Sequence, residues 1–89
     1  MAPNYFKGAY ISTATTTLVK TGGGYLNRIT IEGGTLGTVI VYDNTVASGA
    51  ILASFDVTTP VGSYPIEAAF TVGCTVVTGA ATKLTVSFE

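Results

Sequence analysis

The chain has no histidine, no tryptophan, one cysteine, one methionine and three prolines, and its 89 residues carry only four basic and five acidic side chains. Each shortage excludes something. Without histidine, the usual general base and the commonest metal ligand are both missing. Four cations and a net charge of -1 cannot neutralise a row of phosphates, so nucleic-acid binding is not expected. A lone cysteine, Cys74, forms no disulfide within the chain and has no imidazole to activate it as a nucleophile. It stands in the apolar run Phe70-Thr-Val-Gly-Cys-Thr-Val-Val, where free cysteine serves as a small buried hydrophobe. No stretch reaches the roughly 18 apolar residues of a membrane-spanning helix, so no membrane partner is expected. The start, Met1-Ala-Pro-Asn-Tyr-Phe-Lys, runs into a Thr-rich segment rather than an apolar leader core. The expectation is a product made in a cytoplasm and not exported by the usual route.

What is abundant is equally specific. The chain holds 16 Thr, 10 Val, 6 Ile and 11 Gly. β-Branched side chains suit a pleated, half-buried surface, and glycine suits the turns between strands. Turn signals recur at Thr21-Gly-Gly-Gly24, Glu32-Gly-Gly34, Gly37, Asp43-Asn44, Ser48-Gly49, Thr59-Pro60 with Gly62, Gly73 and Gly79. Between them the pattern predicts strands over 9–12, 16–20, 25–32, 38–43, 51–57, 64–69, 75–78 and 82–88. No window sustains a 3.6-residue apolar stripe, so no substantial helix is expected. The predicted fold is all-β: a compact antiparallel β-sandwich of about eight short strands.

Three strands alternate well enough to assign faces by period-two logic. Leu84, Val86 and Phe88 are expected on one face, with Lys83, Thr85, Ser87 and Glu89 on the other. Tyr25, Asn27, Ile29 and Ile31 should oppose Leu26, Arg28, Thr30 and Glu32. Ile51, Ala53, Phe55 and Val57 should oppose Leu52, Ser54 and Asp56. The strand Thr38-Val-Ile-Val-Tyr42 is apolar on both faces, so it is either central or covered by another chain. The expected organisation is an N-terminal arm with the first strand over 1–16 and one sandwich domain over 17–89.

Local motifs yield little chemistry. In Lys20-Thr-Gly-Gly-Gly24 the glycines follow the lysine and a strand follows them, whereas a phosphate-binding loop needs the reverse order and a helix. A flexible hairpin connection is expected there instead. The acids Glu32, Asp43, Asp56, Glu67 and Glu89 lack a nucleophile–base partner, and those near strand ends read as solvated or turn-capping carboxylates. Asp43 and Asn44 alone are too few for a Ca²⁺ site. No catalytic residue, metal ligand or cofactor site is expected, and the chain does not read as an enzyme. Tyr25, Tyr42 and Tyr64 would serve as a sugar-stacking platform if they converged, which leaves a carbohydrate-binding module as an alternative.

A sandwich this small buries a modest core, has no disulfide, and must protect its open sheet edges. Oligomerisation meets both needs, so a homo-oligomer is expected. Tyr5, Phe6 and Tyr10 cluster near the N-terminus around Lys7 and Gly8. They either pack on their own domain or form an arm that contacts a partner, since tyrosine and phenylalanine make good interface anchors.

The segments Thr17-Leu-Val-Lys-Thr-Gly-Gly-Gly-Tyr-Leu-Asn-Arg-Ile-Thr-Ile31, Thr38-Val-Ile-Val-Tyr-Asp-Asn-Thr-Val-Ala-Ser-Gly49 and Ala69-Phe-Thr-Val-Gly-Cys-Thr-Val-Val-Thr-Gly79, followed by Leu84-Thr-Val-Ser-Phe88, carry a resemblance. In this order the chain resembles a family of small structural modules of tailed-bacteriophage virions, among them head decoration (cement) and head-fibre proteins. The resemblance implies a jelly-roll-like sandwich located in the virion and assembled in the host cytoplasm. It implies the major capsid protein as partner and a homo-oligomer, with a trimer favoured. A tail or baseplate component is the alternative within the same architecture. Residues 1–16 fall outside the matched region and are where attachment specificity is expected.

Overall fold

The computed structural model describes residues 7–89, and Tyr5 and Phe6 lie outside them. The described residues form eight strands and no helix: β1 Lys7–Ile11, β2 Thr16–Thr21, β3 Gly24–Gly34, β4 Val39–Asp43, β5 Ala50–Phe55, β6 Gly62–Phe70, β7 Gly73–Thr78 and β8 Thr82–Phe88. They build two four-stranded antiparallel sheets. One, sheet A, has the order β1-β8-β3-β6; the other, sheet B, has the order β2-β7-β4-β5. The first strand pairs with the last, the second with the seventh, the third with the sixth and the fourth with the fifth. The chain is therefore one long hairpin rolled onto itself, and the cross-pairs β3–β8 and β4–β7 close the two sheets. Eight strands in two sheets with this nested pairing make a jelly roll.

Only the β4–β5 connection joins neighbours within one sheet; every other connection passes from one sheet to the other. The glycine run after Lys20 is thus a corner between sheets and not the hairpin expected from sequence. Gly22 turns it with a φ of 88°, in the left-handed region that suits glycine, and its N–H donates to the Val72 carbonyl at 2.9 Å.

The core lies between the sheets. Sheet A contributes Ile11, Leu26, Ile29, Ile31, Phe70, Leu84, Val86 and Phe88, and sheet B contributes Val39, Val41, Cys74 and Val76. The face assignment of β8 holds throughout, since Leu84, Val86 and Phe88 are all buried. In β3 and β5 it fails, for one physical reason. Against β8, β3 carries an extra residue, Asn27, which brings Leu26 to the core face with Ile29 and Ile31, against the expected alternation. A bulge in β5 places Tyr42 opposite Ile51, so Ile51 points outward while Leu52, Ala53 and Phe55 pack on the core. Val57 lies in the turn after β5 and is exposed. Period-two reading assumes an unbroken ladder, and one extra residue inverts everything on one side of it.

Among the described residues, the buried polar side chains are all threonines: Thr75, Thr78 and Thr82. Each fastens a connection to the body of the sandwich. Thr75 donates its hydroxyl to the Asn44 carbonyl at 2.7 Å. Thr78 donates to the Thr13 carbonyl at 2.6 Å and accepts the Thr15 N–H at 3.0 Å. Thr82 donates to the Thr35 carbonyl at 2.8 Å and accepts the Gly37 N–H at 3.1 Å. A valine of the same shape would fit these sites but would leave backbone groups unpaired. Part of the threonine excess is therefore structural. Among the described residues, every buried side-chain nitrogen or oxygen has a hydrogen-bond partner.

Candidate functional site

Among the described residues no cavity opens, and no three His, Cys, Asp or Glu side chains converge. The candidates are the outer faces and edges of the two sheets. Their composition follows from register, because directly opposed residues in an antiparallel pair share a face.

The outer face of sheet A is polar. Tyr10, Thr85, Thr30 and Ser63 form one row across β1, β8, β3 and β6, and Gly8, Ser87, Arg28 and Pro65 form the next. The side chains in these rows bond to one another. Arg28 donates to the Ser63 hydroxyl at 3.0 Å, and the Thr85 hydroxyl donates to the Glu32 carboxylate. Lys83 stands on the same face of β8.

The outer face of sheet B is different. One row runs Leu18, Thr75, Tyr42, Ile51, and the next runs Thr16, Val77, Ile40, Ser54. Neither row contains a charged residue. Leu18 and Ile51 are 47% and 56% exposed, and they flank the half-buried Tyr42, Ile40 and Val77. Of the two alternatives for the strand around Ile40, the structure shows the first: β4 is central in its sheet, and its outward side chains belong to this apolar face. Ile51 was invisible from sequence as a member of this face, because the β5 bulge that turns it outward leaves no residue signature.

The residues singled out from sequence fall in separate places. Tyr10 sits in β1 opposite Thr85 and is 58% exposed at the edge of sheet A. Its suggested companions Tyr5 and Phe6 lie outside the described residues. Tyr25, Tyr42 and Tyr64 do not converge. Tyr25 is on β3, Tyr42 on the outer face of sheet B, and Tyr64 faces inward opposite Ile29. Tyr64 packs its ring 5.3 Å from Phe55 and donates its hydroxyl to the Pro60 carbonyl.

The carboxylates act as caps. Asp43 accepts the N–H groups of Thr71, Val72 and Gly73 at the β6–β7 corner. These bonds, that from Val72 foremost, hold its carboxyl below the usual carboxylate range against a smaller opposing effect of desolvation. Asn44 accepts the Thr45 N–H and donates to the Ser48 carbonyl, which closes the β4–β5 turn. Asp56 accepts the Thr58 hydroxyl at 2.6 Å and the Thr58 N–H at 2.9 Å, and it too is held low. Cys74 is fully buried, and that burial, with the Asp43 charge nearby, pushes its thiol up to about 11. A thiol so placed is a poor nucleophile. No family model, curated protein or solved structure matches the chain.

Proposed function

We propose that this chain is a virion structural protein, a capsid decoration or cement protein that binds the outer head surface and stabilises the shell without catalysis. The observation that carries the reading is the uncharged outer face of sheet B, built around Leu18, Ile40, Tyr42, Ile51 and Val77. A charge-free apolar face on a small sandwich marks a surface that association covers. The sequence resemblance supplies the setting, a bacteriophage head, and the partner, the major capsid protein. Copies act as a homo-oligomer, with a trimer favoured, and engage several capsid subunits at once. Simultaneous engagement raises effective affinity well above that of any one contact, so each contact can be modest. Tyr10, exposed in β1, adds an aromatic anchor at the edge of sheet A.

Purified particles separated into heads and tails test the proposal on a stained protein gel. Recovery with heads, in copy number comparable to the major capsid protein, is expected. Recovery with tails in low copy would replace the decoration role with a tail or baseplate one. Adding the chain carrying Leu18→Glu and Ile51→Lys to heads lacking it should abolish binding while circular dichroism stays unchanged. Undiminished binding would remove sheet B from the contact.

A further inference from the structure

Four strands form the edges of the two sheets: β1 and β6 in sheet A, β2 and β5 in sheet B. An edge strand exposes unpaired N–H and C=O groups, and proteins blunt it with bulges, proline or charge to stop further pairing. Three of the four edges are blunted in this way. β2 carries an extra residue between Leu18 and Lys20, and β5 carries one opposite the Val41–Tyr42 step. β6 carries an extra residue opposite the Leu26–Arg28 step, contains Pro65, and holds Glu67 at a φ of 56°. In each case the bulge lies in the edge strand itself.

Among the described residues, β1 has none of these devices. It pairs with β8 in unbroken register from Lys7 to Ile11, with no proline and a single charge at its first residue. We infer that the free edge of β1 is a pairing surface for β1 of a second copy, joined antiparallel about a two-fold axis to extend sheet A across two molecules.

The strand's own residues select the partner and the register. Opposed residues in an antiparallel pair must share a face, so a symmetric pairing is centred on Gly8, Ala9 or Tyr10. Centring on Ala9 alone opposes all five residues of β1. That register sets Tyr10 against Gly8 of the other copy on the outer face. The 58%-exposed ring then covers a residue with no side chain, the aromatic–glycine pairing that favours cross-strand contact. The arrangement is isologous, so each tyrosine finds the same glycine. The two Lys7 side chains stand at opposite ends of the overlap, about 13 Å apart along the strands. This exceeds the Debye length of about 8 Å at physiological salt, so their repulsion is largely screened. Five residues bury little area, and the association is correspondingly weak and concentration-dependent. It does not depend on the capsid reading, because it is measured on the free protein.

Ala9→Cys tests it. In the inferred register the two introduced thiols lie on directly opposed residues, within the Cα separations a disulfide spans. Mild oxidation of the concentrated protein should give a covalent pair on a non-reducing gel, at least five-fold more than Thr16→Cys on the bulged β2 edge. The unsubstituted protein, with only buried Cys74, should give none. Adding Tyr10→Ser to Ala9→Cys should lower the yield several-fold with circular dichroism unchanged. Equal yields from Ala9→Cys and Thr16→Cys, or no effect of Tyr10→Ser, would overturn the inference.

Discussion

The carboxylate of Asp43, at the end of β4, accepts the backbone N–H of Val72 at 2.9 Å, across 29 residues of sequence. With the bonds from Thr71 and Gly73 it fixes the β6–β7 corner, which the nested pairing of strands carries over the end of the sandwich. Because these bonds favour the charged form, the folded carboxyl titrates below its unfolded counterpart. The unfolded chain therefore takes up protons first as the pH falls. The stabilisation is fully present above about pH 4 and is lost as the pH drops through the lower, folded value. The thermal midpoint should decline below pH 4, and Asp43→Asn should flatten that decline. Asp56 shares the same direction of shift, so Asp43→Asn with Asp56→Asn should flatten it further.

The Thr82 hydroxyl serves two backbone groups of the β3–β4 connection at once. Thr82→Val preserves shape but strands the Thr35 carbonyl and the buried Gly37 N–H. Urea denaturation should show a loss of about 2 kcal/mol. Thr85→Val on the polar outer face should change stability by no more than about 0.5 kcal/mol. Equal losses would show that the buried threonines are not the fasteners described.

Glu67 holds a left-handed backbone at the β6 bulge. A side chain with a Cβ costs about 1–2 kcal/mol there, whereas glycine adopts it freely at the expense of a more mobile unfolded state. Glu67→Gly should raise stability by roughly 0.5–1 kcal/mol. Glu67→Val should lower it, because a β-branched residue tolerates this conformation worst.

Cys74 should resist an aromatic disulfide reagent at pH 8 in native buffer and react fully in concentrated urea. Burial both shields the sulfur and raises the thiol to about 11, so thiolate is scarce in the folded protein. Rapid native-state labelling would place Cys74 in a locally opening region instead.

Much of this protein was determined by sequence alone. β-Branched residues between regularly spaced glycines specified eight short strands, and the locations of all eight were legible to within a few residues. The alternation in β8 assigned its core side chains, because β8 itself carries no extra residue and its ladder with β1 is unbroken from Leu84 to Phe88. Tertiary structure decided the rest. The bulges at Asn27 and Leu52 change which side chains face the core, and they arise from fitting twisted strands into two packed sheets. The uncharged face of sheet B brings Leu18 of β2 and Val77 of β7 beside Ile40 and Ile51 of the β4–β5 pair. The free edge at β1 exists only because the rolled hairpin leaves its first strand outermost. Propensity and periodicity act over a few residues, whereas faces and edges depend on which distant strands lie side by side.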